Sequence, residues 1–124
     1  MPGDRAKKAA PRHLSEPWFS LVATGAKTFE GRLGNSALAA APVGSTLVFF
    51  NDDLGRRRTV RVAVTGVERF ASFRAMLAPA GALARALPTV ATVRDGVAVY
   101  RAFYSAADER EHGVVRLTMR LLSR

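Results

Sequence analysis

Cysteine is absent from this 124-residue chain, and histidine occurs only twice, as His13 and His112. Without cysteine the chain has no disulfide framework, no thiolate metal site and no cysteine nucleophile. The two histidines lie far apart in sequence and lack the close spacing of metal ligands. We therefore predict neither a bound metal nor any other cofactor.

Long apolar runs are also lacking. No run reaches the roughly 18 residues that a membrane-spanning helix needs, and the N-terminus has no apolar core of a signal peptide. We expect a soluble cytoplasmic protein that is a monomer and does not insert into a membrane.

Acidic residues are scarce, because 10 Asp and Glu stand against 19 Lys and Arg, which gives a formal net charge of +9. Such an excess favours polyanionic partners, among them nucleic acids, anionic membranes and phosphorylated ligands. Excess arginine can also serve solubility alone. Among these alternatives we favour a nucleic acid or a nucleotide.

The length suits one domain that buries its own core. Residues 1–11 hold Arg5, Lys7 and Lys8 but no apolar period, so we predict a flexible basic tail there. Residues 12–124 form the single domain. Its strand and helix patterns follow an order typical of an α+β fold, in which a small, mostly antiparallel β-barrel carries inserted helices.

The spacing of apolar residues predicts the individual elements. Strands are predicted over Arg12–Ser15, Lys27–Leu33, Thr46–Phe50, Arg56–Phe70 (with a bulge at Gly66) and Gly113–Leu122. Helices are predicted over Glu16–Thr24 and Ala82–Leu87 and after the N-caps Ser72 and Thr92. The last strand is predicted to turn its arginines, Arg116 and Arg120, outward.

The most unusual stretch is Gly25–Arg32, where a glycine ends the first helix and a lysine begins a strand. Residues two apart on a strand share a face, so Thr28, Glu30 and Arg32 are predicted to face the same side. Lys27 can reach a phosphate or, if desolvated, act as a base. Glu30 can accept hydrogen bonds from the exocyclic amine of a nucleobase. The alternative is an ordinary polar strand face with a Glu30–Arg32 ion pair in water.

This stretch resembles the signature Gly-x-Lys-x-x-Glu-x-Arg of the ASCH domain (activating-signal-cointegrator homology), a relative of the RNA-binding PUA domain. The similarity runs from His13 to Leu122 and includes the segments Glu16–Trp18, Val43–Gly44, Phe49–Asn51, Val67–Leu77 and Tyr100–Val115. It implies a PUA-like β-barrel with a cleft beside the first helix. The resemblance also implies that Lys27, Glu30 and Arg32 bind RNA, a modified nucleoside or another single-stranded nucleic acid in that cleft.

Some ASCH proteins are amidohydrolases that remove the acetyl group from N4-acetylcytidine with a lysine, a threonine and a glutamate; others are described as ribonucleases. Lys27 matches the lysine, which would be the general base. The position of the threonine holds Glu30 here, with Thr28 nearby, and Glu68 is a candidate for the glutamate by position alone. A small hydrolase is therefore the alternative to a binding module.

Further residues are candidates for ligand contact. Trp18 could stack on a base, although a tryptophan on a helix stripe is more often part of the core. Tyr100 and Tyr104 share a predicted helix stripe, and Tyr104 is the better cleft candidate because Ser105 follows at the helix end; Ser105 is itself predicted to contact the ligand. Phosphate contacts are predicted for the arginines of a hairpin tip, with a solvated turn as the alternative: Arg56, Arg57 and Arg58.

Overall fold

The computed structural model describes residues 10–123, so the predicted basic tail lies almost entirely outside the described residues. The strands are β1 (Arg12–His13), β2 (Phe29–Leu33), β3 (Thr46–Asn51), β4 (Arg58–Phe70) and β5 (Val114–Ser123). The α-helices are α1 (Trp18–Ala23), α2 (Phe73–Leu77), α3 (Ala82–Ala86), α4 (Val93–Arg101) and α5 (Ala106–His112), and a 3-10 helix spans Ala37–Ala40. Over residues 10–123, no helix is long and apolar enough to cross a membrane.

The strands form one sheet in the order β1-β3-β4-β5-β2. All neighbours pair antiparallel except β1 and β3, which pair in parallel. The 13-residue strand β4 pairs with β3 on one side and β5 on the other, and the sheet curls into a half-barrel. The predicted bulge is confirmed, since the β4–β5 register shifts between Val64 and Gly66. The α+β class with a barrel-like, mostly antiparallel sheet is confirmed as well.

Two apolar clusters pack against this sheet. The first joins α1, through Phe19 and Val22, to the inward-facing side chains of β3, β4 and β5. The second joins α2, α3 and α4 to β2 around Phe73 and Met76. Trp18, at the start of α1, packs against both clusters. The first turn of α1 therefore lies at their boundary, which is where the candidate site is found.

The helical region partly follows the predicted pattern. The N-caps Ser72 and Thr92 are confirmed, because each side-chain oxygen accepts a hydrogen bond from the amide three residues later. Helix α4, however, ends at Arg101, and Ser105 caps a separate helix, α5, that was not predicted. Only Glu109 is buried in α5, so no apolar period marks this helix in the sequence.

The prediction that Arg116 faces outward is wrong, because this side chain is buried. Its guanidinium group lies 4.0 Å from the ring centroid of Phe29 and 4.7 Å from that of Phe70. It donates to the carbonyl of Met76 at 3.1 Å and to Glu68 at 2.6 Å. Two aromatic rings and two acceptors thus surround the buried guanidinium group of Arg116. The alternation of residues along the strand does not reveal these partners.

Candidate functional site

The junction between α1 and β2 fixes the first charged side chain of the site. Gly25 has a φ of +83°, a left-handed conformation that favours glycine and ends the helix. The chain then folds back, so that the Lys27 amide bonds to the carbonyl of Leu21 and the Thr28 amide to the carbonyl of Arg85. Lys27 is therefore held between α1 and the end of α3 before β2 begins.

Lys27 is only 4% exposed, and its ammonium group has two close acceptors. Nζ donates to the carbonyl oxygens of Phe29 at 2.7 Å and of Ala86 at 2.5 Å. Oε1 of Glu30 lies 3.6 Å away, which is too long for a good hydrogen bond. Burial lowers the pKa of Lys27, and the Glu30 carboxylate opposes that shift. Among the described residues, the third N–H of the ammonium group thus has only this longer contact with Glu30.

Glu30 joins the two cations of the motif into one cluster. It is 5% exposed, and its Oε2 accepts from Nε of Arg32 at 2.7 Å, while Oε1 is the oxygen nearest Lys27. A carboxylate offers about four lone-pair positions, so acceptor capacity remains. The alternative of an ion pair in open water is wrong, because these side chains are largely withdrawn from solvent.

The Lys27–Glu30–Arg32 cluster lines a cavity of about 360 Å³ between α1, β2 and α4. Two separate stretches of chain supply the walls, residues 13–32 and residues 87–104. The rings that line the cavity are those of His13, Trp18, Tyr100, Phe103 and Tyr104. A charged cluster and five rings therefore line one cavity that opens to solvent.

Tyr100 lies deepest among the aromatic residues of this wall and is 6% exposed. Its ring stacks on Phe73 at a centroid distance of 4.3 Å, and its hydroxyl has no hydrogen-bond partner among the described residues. Burial and the nearby Glu30 carboxylate raise the pKa of Tyr100. A Cβ at Gly31 would lie 3.1 Å from this hydroxyl and 2.8 Å from the Met76 Cε. Glycine at this position lets α4 approach β2.

The other rings are placed nearer the mouth. Trp18 is half-buried, with Nζ of Lys27 5.8 Å from its ring centroid. Burial raises the pKa of Tyr104, and the adjacent Arg32 opposes that shift. Phe103 is 62% exposed, and His13 is also exposed. Sequence reasoning missed Phe103 and His13, since neither lies in a periodic pattern that shows what it faces.

Several predicted residues lie outside this cavity. The Thr28 hydroxyl accepts from Nε of Arg85 at 2.9 Å and lines a second cavity of about 310 Å³, which also includes Lys27. Ser105 is exposed and caps α5. Glu68 is exposed and pairs with Arg116. The predicted grouping of Thr28 with Glu30 is thus not seen, because the two side chains line different cavities.

The three arginines of the predicted hairpin tip have different surroundings, and none lines the cavity. Arg58 is half-buried and pairs with Glu16 at 2.9 Å. Arg57 is exposed and bonds Asp52 through both Nε and Nη2. Arg56 is exposed and pairs with none of the residues described. Of these three arginines, therefore, Arg56 and Arg57 are the ones exposed at the surface for phosphate contact.

Potential metal ligands come together at one surface position of the described chain. Asp108, Glu111 and His112, on α5, place ligand atoms within 4.8 Å of one another. Two of the three are exposed, and none lines the cavity. Exposed acidic groups on one helix turn are common without an ion, so this cluster supports no metal site.

Comparison with known proteins identifies a family and similar solved structures. The ASCH domain family model matches residues 13–123. The crystal structure of the hypothetical protein PH0355 superposes with a TM-score of 0.78 and 29% sequence identity, covering 90% of this chain and 97% of that one. The solution NMR structure of PF0455 from Pyrococcus furiosus gives a TM-score of 0.72 and 30% identity, covering 92% and 97%. No curated protein matches this chain significantly.

Proposed function

This chain belongs to the ASCH domain family, whose members generally bind RNA, and we propose that it binds single-stranded RNA or a modified nucleoside by enclosing one unpaired base in the cavity. One observation carries the proposal. The buried Glu30 carboxylate, flanked by Lys27 and Arg32, lines a cavity that is also walled by aromatic rings.

The charged cluster suits the edge of a nucleobase. The carboxylate of Glu30 is already flanked by two cations, so it favours a neutral N–H donor over a third cation. An exocyclic amine of a base is such a donor. The third N–H of Lys27, which has only the longer contact with Glu30, can donate to a carbonyl or ring nitrogen of the same base. A base edge that presents a donor beside an acceptor therefore matches the neighbouring Glu30 and Lys27.

The size and walls of the cavity point to the same ligand. Small-molecule sites span roughly 300–1,000 Å³, and a volume of about 360 Å³ fits a single base or nucleoside better than a larger cofactor. Trp18 and Tyr104 offer ring faces, and stacking of a base on such a face contributes about 1–3 kcal/mol. The net charge of +9 would attract the phosphates of an oligonucleotide.

The test is a titration of short single-stranded RNA, followed by the fluorescence of Trp18, which is the only tryptophan of the chain and lines the cavity. We expect affinity to weaken steeply as salt increases. Glu30→Gln replaces an acceptor by a donor and should weaken binding by about 1–3 kcal/mol. Glu68→Gln makes the same change at an exposed carboxylate outside the cavity and should leave affinity unchanged.

Two results would contradict this function. One is a wild-type protein without RNA or nucleoside affinity even at low salt. The other is an equal effect of the Glu30 and Glu68 variants. Circular dichroism of both variants is needed alongside, because Glu30 is buried.

One observation favours a second candidate, an amidohydrolase acting on N4-acetylcytidine. Burial lowers the pKa of Lys27, as a lysine general base requires. Water would then attack the acetyl carbon while Lys27 takes its proton, the C–N bond would break, and the proton would pass to the departing amine. The products are acetate and cytidine.

The hydrolase is tested by incubating the protein with N4-acetylcytidine and separating the products by chromatography. We expect Lys27→Met to abolish turnover if Lys27 is the base. Turnover that survives in a folded Lys27→Met protein would exclude this role. The wild-type protein binding the nucleoside without releasing acetate would favour the binding function.

A further inference from the structure

A line of surface side chains, of which His13 and Arg57 are exposed and Phe50 is half-buried, leads away from the cavity mouth. His13 lines the cavity and pairs across the sheet with Phe50 of β3. The two rings meet edge to face, 5.4 Å apart. On Phe50 lies the guanidinium group of Arg57, 3.9 Å from the ring centroid. The cavity is therefore continuous with a surface formed by His13, Phe50 and Arg57, named here the outer track.

Arg57 is held in place from two directions. Phe50 supports one side of its guanidinium group, while Asp52 accepts from Nε at 3.0 Å and from Nη2 at 2.9 Å. The side chain is nevertheless 56% exposed. Its Nη1 and the side turned away from Phe50 have no partner among the residues described. A fixed, flat cation with one open face is an arrangement on which RNA bases stack.

We propose that the outer track binds the nucleotide adjacent to the one in the cavity, with its base on the open face of Arg57 and a phosphate near Nη1 and Arg56. This inference rests on the proposed function, because it extends the same RNA strand from the cavity onto the surface. It assigns a second subsite whose ligand is single-stranded RNA.

Charge on this surface favours a base over an acidic peptide. Asp52 already bonds Nε and Nη2 of Arg57, so the open flat face, which an acidic side chain does not use, is the larger surface left for a ligand. Stacking needs only the open face of the guanidinium group and leaves the pair with Asp52 intact. His13 lines the cavity and meets Phe50 edge to face, so it connects the cavity wall to the ring that supports Arg57.

The experiment compares cytidine monophosphate with a cytidine tetranucleotide, using the fluorescence of Trp18. Stacking of one base corresponds to a gain of roughly 5- to 150-fold in affinity, so the tetranucleotide should bind at least about fivefold more tightly. Arg57→Ala should remove most of that gain and leave the affinity for the monophosphate unchanged. Arg74→Ala removes an exposed arginine of α2, far in sequence from the track, and serves as the matched control.

Arg57→Lys separates stacking from charge, because lysine keeps the charge but has no flat face. We expect it to behave like Arg57→Ala. Tetranucleotide affinity that is retained in Arg57→Lys, or lost equally in Arg74→Ala, would overturn the outer track. Equal affinity of the wild-type protein for both ligands would also overturn it, while the cavity assignment would stand. If the wild-type protein binds neither ligand, the proposed function itself fails.

Discussion

Two arginines of this protein make the same bond in opposite surroundings. Nε of Arg32 donates to Glu30 at 2.7 Å, and Nε of Arg57 donates to Asp52 at 3.0 Å. The side chain of Arg32 is 19% exposed and that of Arg57 is 56% exposed. The distances hardly differ, so the main difference between the two pairs is that one is largely withdrawn from water and the other is exposed to it.

The reason lies in what each pair leaves behind when it is broken. Removing one partner of a buried pair leaves a charge without water, whereas an exposed partner is rehydrated at once. The Glu30 cluster also holds a second cation, Lys27, which has no other carboxylate near it within residues 10–123. Stability and ligand binding are therefore coupled at Glu30 and separable at Arg57.

The largest expected effect follows from Glu30→Ala. This change leaves Lys27 and Arg32 buried without their carboxylate, and the free energy of unfolding should fall by about 3–5 kcal/mol. Urea denaturation measures it. Asp52→Ala, the matched change at the exposed pair, should leave the urea midpoint unchanged. Similar losses in the two variants would show that burial does not separate the pairs.

The pH dependence of stability tests the burial of Lys27. The pKa of Lys27 is lowered by burial below its ordinary 10.5, so the unfolded chain binds this proton more tightly than the folded protein. Stability should therefore rise between the folded-state pKa and about pH 10.5, by at most about 1.4 kcal/mol per pH unit. Lys27→Met should lack this rise in urea denaturation between pH 7.5 and 9.5. Parallel profiles for the two proteins would show that Glu30 keeps the lysine charged.

Tyr100→Phe should change stability less than Glu30→Ala does, and it should raise the free energy of unfolding rather than lower it. It removes a buried hydroxyl that lacks a partner among the described residues, so the protein should gain about 1 kcal/mol, or roughly 4 °C in melting temperature. Tyr104→Phe, at a half-buried ring, should change the melting temperature less. A lower melting temperature for Tyr100→Phe would mean that the hydroxyl is bonded to water.

The smallest expected effect is that of Arg57→Ala on stability. Its ion pair is exposed, and such pairs contribute little. The melting temperature should stay within error of the wild type at low and high salt. A clear, salt-dependent fall in melting temperature would show that the Arg57 pair stabilises the fold, as the Arg32 pair is expected to do.

Much of the fold was predictable because its strands alternate and two of its helices begin at capping residues. Ser72 and Thr92 mark α2 and α4, and Gly66 marks the bulge in β4. Helix α5 was missed because its residues are almost all polar. Ser105 with Asp108 three residues later was the available signal, since a serine followed by an acidic residue is typical of a helix start.

The residues of the site were predictable, but their burial was not. Glu30 and Arg32 follow from the motif, but the alternative of an ion pair in water assumed an exposed strand face, and these side chains are largely withdrawn from solvent. That face is covered by segments more than fifty residues further along the chain, including those of Leu87 and Tyr100. Whether a polar strand face is buried depends on tertiary contacts, so the periodicity of β2 alone does not predict it.

The bonds from the α1–β2 junction to α3 have a consequence for how the protein folds. Lys27 and the carbonyl of Ala86 are 59 residues apart in sequence, and contacts at such separations form slowly because a long loop must close first. A growing chain that ends before α3 carries the whole motif but lacks this carbonyl. The Thr28 amide, bonded to Arg85, should exchange its hydrogen with solvent whenever α3 undocks. Its exchange rate would measure how often the folded chain loses its site while keeping its sheet.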